Sequence, residues 1–102
     1  MKMHELKTWP VYFCAIKAGV KTFDVRFDDR GYQAGDVLHL REWDPRLAAG
    51  TIPDVPESSR DGYTGDDLVA VVTYLLPVAE VPRFRGLTAD PWVVMGVKVV
   101  SG

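Results

Sequence analysis

A single cysteine, Cys14, rules out an internal disulfide and fits a reducing compartment. No apolar run approaches the roughly 20 residues needed to span a bilayer. The stretch Met1 to Trp9 is too polar for a secretory leader. The expectation is a cytoplasmic protein that makes no contact with a membrane. Positive charge is not in excess either: the formal net charge is −2. That excludes a strongly basic duplex-coating protein, since phosphate neutralisation dominates nonspecific affinity. It leaves room for a local basic patch. Nitrogen and sulfur metal ligands are scarce. His4, His39 and Cys14 lack the spacing of a four-ligand zinc site, so neither a metal nor a cofactor is expected. There is no glycine-rich phosphate loop, no Ser-His-Asp pattern, no repeat and no low-complexity tract.

What is present is ordinary globular material. The chain has 102 residues, 47% of them apolar and 25% charged, which suits one domain with one core, residues 1–102. His4 to Lys7 reads as a brief edge strand. Trp9, Tyr12, Phe13, Ile16 and Val20 recur at helical spacing. They predict a helix from about Trp9 to Ala18, with Thr8 as N-cap and Pro10 in its first turn. Gly19 falls where a helix commonly ends in a left-handed residue.

The period then changes. Phe23, Val25 and Phe27 alternate with Thr22, Asp24 and Arg26, the pattern of a half-buried strand. Polar turns follow at Asp28 to Gly31 and at Ala34 to Asp36. In the next strand, Val37 to Trp43, Leu38 and Leu40 face one way, and His39 and Arg41 the other. Asp44 to Asp67 is expected to be a long loop. Leu68 to Leu76 is apolar throughout and predicts a strand buried on both faces. Pro77 to Pro91 is a second irregular stretch, and Trp92 to Val100 a closing strand. A helix followed by several strands without regular helical crossovers points to an antiparallel barrel or an α+β domain.

The candidate site lies at the helix-to-strand junction. Asp24 and Arg26, two apart on a strand, point to the same face roughly 6–7 Å apart. Lys21 sits at the turn before them. Two cations and a carboxylate on one rim suit a nucleotide, the cations for phosphate and the carboxylate for an amino group on a base edge. The plainer account is a solvated ion pair on the strand's outer face. For catalysis Lys21 would have to shed its proton, which Arg26 favours and Asp24 opposes. Trp9 and Trp43, each beside a turn, are candidates for stacking a base, against the alternative of core packing. Arg41, with Glu42 and Asp44, offers a further polar rim or merely a solvated face. Arg83 and Arg85 offer a phosphate clamp or merely a soluble loop.

The stretch HELKTWPVYFCAIKAGVKTFDVRFDDRGYQAGDVLHLREWD, residues 4–44, resembles the opening of a phage- and bacteria-associated family of ASCH-like domains. The family pattern runs H-x-L-K, an aromatic helix, G-x-K-x-x-E-x-R, then G-D-x-L-x-L-R-E-aromatic-D. The likeness continues at Tyr63-Thr64-Gly65, at Val72-Thr73-Tyr74 and from Val94 to Lys98. It implies a small PUA-like β-barrel with one or two flanking helices. It also implies binding of RNA, a nucleotide or a modified base in a cleft between the first helix and the barrel. Gly19, Lys21 and Arg26 match the pattern, and Asp24 stands where Glu is usual. A small bacterial relative hydrolyses acetylated cytidine with a lysine and a threonine from the corresponding G-x-K-x-x-T-x-R stretch. On that alternative Lys21 and Asp24 would be catalytic, but Asp24 departs from the threonine. A third reading is a phage-encoded protein that blocks a host factor through the acidic loop at 45–67.

Overall fold

A computed structural model describes residues 1–52, 57–81 and 91–102. In chain order the elements are β1 (Met3–Thr8), α1 (Pro10–Lys17), β2 (Phe23–Phe27), β3 (Val37–Trp43) and α2 (Pro45–Ala48). A short 3-10 turn at Glu57–Ser59 leads into β4 (Tyr63–Pro77). A second, at Val78–Glu80, precedes β5 (Trp92–Ser101). The five strands form one mixed sheet in the order β1-β3-β4-β5-β2, curled into a half-barrel. The β1–β3 pair is parallel and the other pairs are antiparallel. Among the described residues the barrel is therefore open, with β1 and β2 as its two edges.

The concave side holds the core. Leu6, Leu38, Leu40, Leu68, Val72 and Met95 point inward from the strands, and Phe13 and Ile16 of α1 cover them. Each such side chain stabilises by about 1.5–3 kcal/mol through area removed from water. Tyr32, in the connection between β2 and β3, is also buried, and burial raises its phenol above the usual range.

Four local expectations change. The N-cap is Trp9, not Thr8, and no side chain caps the helix. Thr8 is the last residue of β1, and its hydroxyl is used elsewhere. Asp44 to Asp67 is not one long loop: the Asp44 carboxylate accepts from the Arg46 N–H to cap α2, and β4 begins at Tyr63. β4 is not buried on both faces. Leu68, Ala70 and Val72 are buried while the residues between them are half-buried, because the half-barrel has only one covered side. A bulge at Thr73 then shifts the alternation, turning Leu75 inward and Tyr74 and Leu76 out.

The fourth change is the most consequential. In β2 the alternation runs opposite to its hydropathy. Asp24 is 5% exposed, while Phe23, Val25 and Phe27 are 47%, 47% and 43% exposed. The charged residues face the concave side and the apolar ones face solvent.

Candidate functional site

The site is built on the seam where the barrel fails to close. At one edge stand Lys7 and Thr8 of β1; at the other, Phe23 to Arg26 of β2. Trp9 and Tyr12 at the start of α1 form the roof, and the resulting cleft has a volume of about 650 Å³. That size is within the usual range for a small-molecule site.

Local geometry explains how the chain delivers its side chains there. α1 ends in a tight turn: Gly19 N–H donates to Ile16 C=O, and Val20 and Lys21 N–H both donate to Ala15 C=O. Gly19 has φ +78°, where a Cβ is disfavoured, although that Cβ would meet nothing within 4 Å. The turn reverses the chain so that Lys21 stands above the start of β2. Gly19 itself does not line the cleft. Its role is to end the helix.

Asp24 is the centre of the constellation. Its Oδ2 accepts from Arg26 Nε at 2.7 Å, and Lys21 Nζ lies 3.5 Å from its Oδ1. Arg26 Nη2 also donates to Thr8 Oγ1 at 3.1 Å, across the seam. Lys21 Nζ lies over the Tyr12 ring at 4.6 Å and the Phe23 ring at 5.3 Å from their centroids. A buried carboxylate is tolerated only when its oxygens are partnered, and here both are. The carboxylate and two ring faces all attract the Lys21 ammonium. With two cations to one anion, the cleft carries a local positive excess.

Trp9 and Tyr12 are about half exposed and line the cleft mouth. The structure thus brings together Trp9, Lys21, Asp24 and Arg26. It adds Lys7, Thr8, Tyr12, Phe23 and Val25. Thr8 was hidden because a threonine before a proline-initiated helix reads as a cap. Phe23 and Val25 were hidden because alternation alone does not say which face is buried.

The other expected residues lie elsewhere. Trp43 is outside the cleft: its indole Nε1 donates to Asp61 C=O at 2.9 Å, its ring takes Lys7 Nζ at 4.9 Å, and it packs on Gly62. Arg41 stacks on Tyr63 at 3.8 Å and pairs with Glu5 at 3.1 Å, on the convex side. Glu42 accepts from Thr64, and buried Asp44 pairs with Arg46, whose hydrogen bond holds its carboxyl below the usual range. These three residues form no shared rim on the cleft. Arg83 and Arg85 lie outside the described residues.

The histidines have structural partners. His4 is buried against Asp36 at 2.9 Å and edge-on to Tyr32, and His39 is hydrogen-bonded to Asp67. The hydrogen bond from His4, helped by the N–H groups of Lys2 and Gln33, lowers the Asp36 carboxyl to about 2. Among the described residues no helix is long and apolar enough to cross a membrane.

A family model described as a domain of unknown function, DUF3850, matches residues 3–97, from the start of β1 into β5. An uncharacterised 12.9 kDa protein of the GpA 3′ region of Escherichia phage P2 is 43% identical over 42 residues. That match covers 41% of this chain and 38% of the phage protein.

Proposed function

The chain belongs to the DUF3850 family of domains of unknown function, and we propose that it is a binding module for a nucleotide, a modified base or a short RNA segment. The observation that carries the reading is the inverted strand β2. It buries Asp24 between Lys21 and Arg26 and leaves three apolar side chains nearly half exposed. A strand set against its own hydropathy costs stability, and such local conflicts are concentrated at functional sites. What the inversion achieves is a fixed pair of cations on the wall of a cleft with aromatic side chains at its mouth.

In this reading Lys21 and Arg26 take phosphate or carbonyl oxygens, and Trp9 and Tyr12 stack on a base. Asp24 orients both cations, since each of its oxygens already has a partner. The resemblance to ASCH-like domains of the PUA-like superfamily supports the same ligand class. The test is calorimetric titration with mononucleotides, modified nucleosides and short RNAs. Binding should weaken at least about tenfold in Lys21→Ala, the loss of one charge-assisted contact. Equal binding by wild type and Lys21→Ala, or none by either, contradicts the reading.

A second reading rests on Thr8. Its hydroxyl lies in the cleft with Lys21 and is hydrogen-bonded to Arg26. A lysine and a threonine are the residue types that the resemblance associates with hydrolysis of an acylated nucleoside, although here the hydroxyl comes from β1. Against it, Lys21 Nζ lies 3.5 Å from the Asp24 carboxylate and over two ring faces, which are the surroundings of an anchoring cation. Incubation with acetylated cytidine decides: release of cytidine supports hydrolysis, and unchanged substrate at high protein concentration removes it.

A further inference from the structure

Strand β2 is an open edge with a particular chemical pattern. Thr22 C=O accepts from Val97 N–H, and Asp28 N–H donates to Pro91 C=O. The even-numbered residues therefore turn their backbone groups toward β5. By alternation Phe23, Val25 and Phe27 turn theirs away from it, toward the edge that no strand of the described residues covers. On the convex side those same three residues are exposed, and they continue an apolar face. Phe27 meets Trp92 edge-on at 5.4 Å, Val25 stands beside Val94 and Leu76, and Phe23 beside Gly96 and Tyr74. Among the described residues these rows are apolar, apart from the Lys21 ammonium that lies over the Phe23 ring at 5.3 Å.

We infer that β2 pairs with β2 of a second copy of this chain, antiparallel about a two-fold axis through Val25. The sequence Lys21-Thr22-Phe23-Asp24-Val25-Arg26-Phe27-Asp28-Asp29 is self-complementary about its centre. In that register Val25 faces Val25 of the second copy and Phe23 faces Phe27. Asp24 faces Arg26, and Lys21 faces Asp29. Opposite charges and aromatic pairs directly across an antiparallel pair are the favourable ones. A slip of two residues one way sets Asp24 against itself; the other way, it sets Arg26 against itself and Asp24 against Asp28. A slip of one residue turns the apolar face of one copy to the charged face of the other. Inward charges on an edge strand ordinarily discourage pairing; here they select a single register. The pairing joins two apolar convex faces into one, the isologous arrangement of a two-fold dimer. Because Val25 also lines the cleft, the second strand takes space that a ligand would use, and the two occupancies exclude one another.

The experiment is sedimentation equilibrium on the full chain. Wild type should show a concentration-dependent dimer. Arg26→Asp and Asp24→Arg, each placing like charges across the axis, should each raise the dimer dissociation constant at least about tenfold. A one-to-one mixture of the two variants should recover the dimer, because the excess carboxylate of one faces the excess cation of the other. If either variant fails to fold by circular dichroism, cross-linking reads the same register. In a Cys14→Ser background, Val25→Cys should oxidise to a disulfide dimer, the facing Cα atoms being about 5.5 Å apart. Val11→Cys, more exposed than position 25 and on α1, should not. A monomer at every concentration overturns the inference. So does a dimer that neither charge variant weakens, or cross-linking no faster at position 25 than at position 11.

Discussion

Arg26 reaches across the open seam of the half-barrel and donates to the Thr8 hydroxyl at 3.1 Å, while its Nε holds Asp24 at 2.7 Å. One guanidinium thus ties the two edge strands together and neutralises a buried carboxylate. A planar fork does both at once; an ammonium cannot. Arg26→Ala should lower unfolding stability by about 2–4 kcal/mol, somewhat below the usual loss for a fully buried pair because the side chain is partly open to solvent. Arg26→Lys should recover only part of it. Denaturant unfolding measures both, and Arg26→Lys at full wild-type stability would show that the fork is not needed.

The two tryptophans first considered for stacking should separate cleanly. Trp9→Ala should weaken nucleotide or RNA binding by about 1–3 kcal/mol, the value of one stacked base. It should leave stability nearly unchanged, because Trp9 is 52% exposed. Trp43→Ala should do the reverse, since Trp43 packs on Gly62 and holds the Asp61 carbonyl. Calorimetric titration and thermal melts of the two variants check this. Equal effects on binding would remove the assignment of Trp9 to the cleft mouth.

Gly19 belongs to the backbone of the site and not to its surface. Gly19→Ala should cost about 1–2 kcal/mol, the penalty of a left-handed residue carrying a Cβ. Cleft affinity should stay close to wild type, because the added methyl meets nothing within 4 Å. A large affinity loss at unchanged stability would make Gly19 a contact residue.

Acid stability should report on Asp36. Its carboxyl is depressed from 3.8 to about 2, first by the His4 hydrogen bond and then by backbone N–H groups. The folded protein therefore binds this proton less readily than the unfolded chain. The associated stability is fully present above about pH 4 and disappears as the pH falls through about 2. Asp36→Asn should flatten the stability profile over that interval. Denaturant midpoints between pH 5 and pH 2 measure it, and an unchanged slope would assign the acid sensitivity to other carboxylates.

Much of the architecture was legible in the residues themselves. The helical spacing from Trp9 to Ile16, the glycine stop at 19, and the alternation of Leu38 and Leu40 with His39 and Arg41 all reflect local periodicity, and these elements form where the periodicity puts them. The grouping of Asp24 and Arg26 was legible too, because spacing along one strand fixes which residues share a face, and Lys21 stands at the turn that leads into it. What spacing does not fix is which face is buried. In β2 the buried face is the charged one, where Asp24 pairs with Lys21 and Arg26 and Arg26 donates to Thr8 across the seam, against hydropathy. The parallel β1–β3 pairing and the role of Thr8 arise between residues distant in sequence. Trp43 and Arg41 looked like rim residues because they end a strand, but partners from β4 and the turn before it draw both away from the cleft.

The proposed ligand, a nucleotide or RNA segment, would lie in the seam between β1 and β2 against Lys21 and Arg26. The most direct measurement is an amide and side-chain chemical-shift titration of the labelled chain with mononucleotides and short RNAs, repeated on Lys21→Ala. Saturable shifts confined to Thr8, Trp9, Tyr12, Lys21 and the residues of β2, and lost in the variant, are expected. Shifts centred elsewhere, or the same shifts in Lys21→Ala, would contradict it.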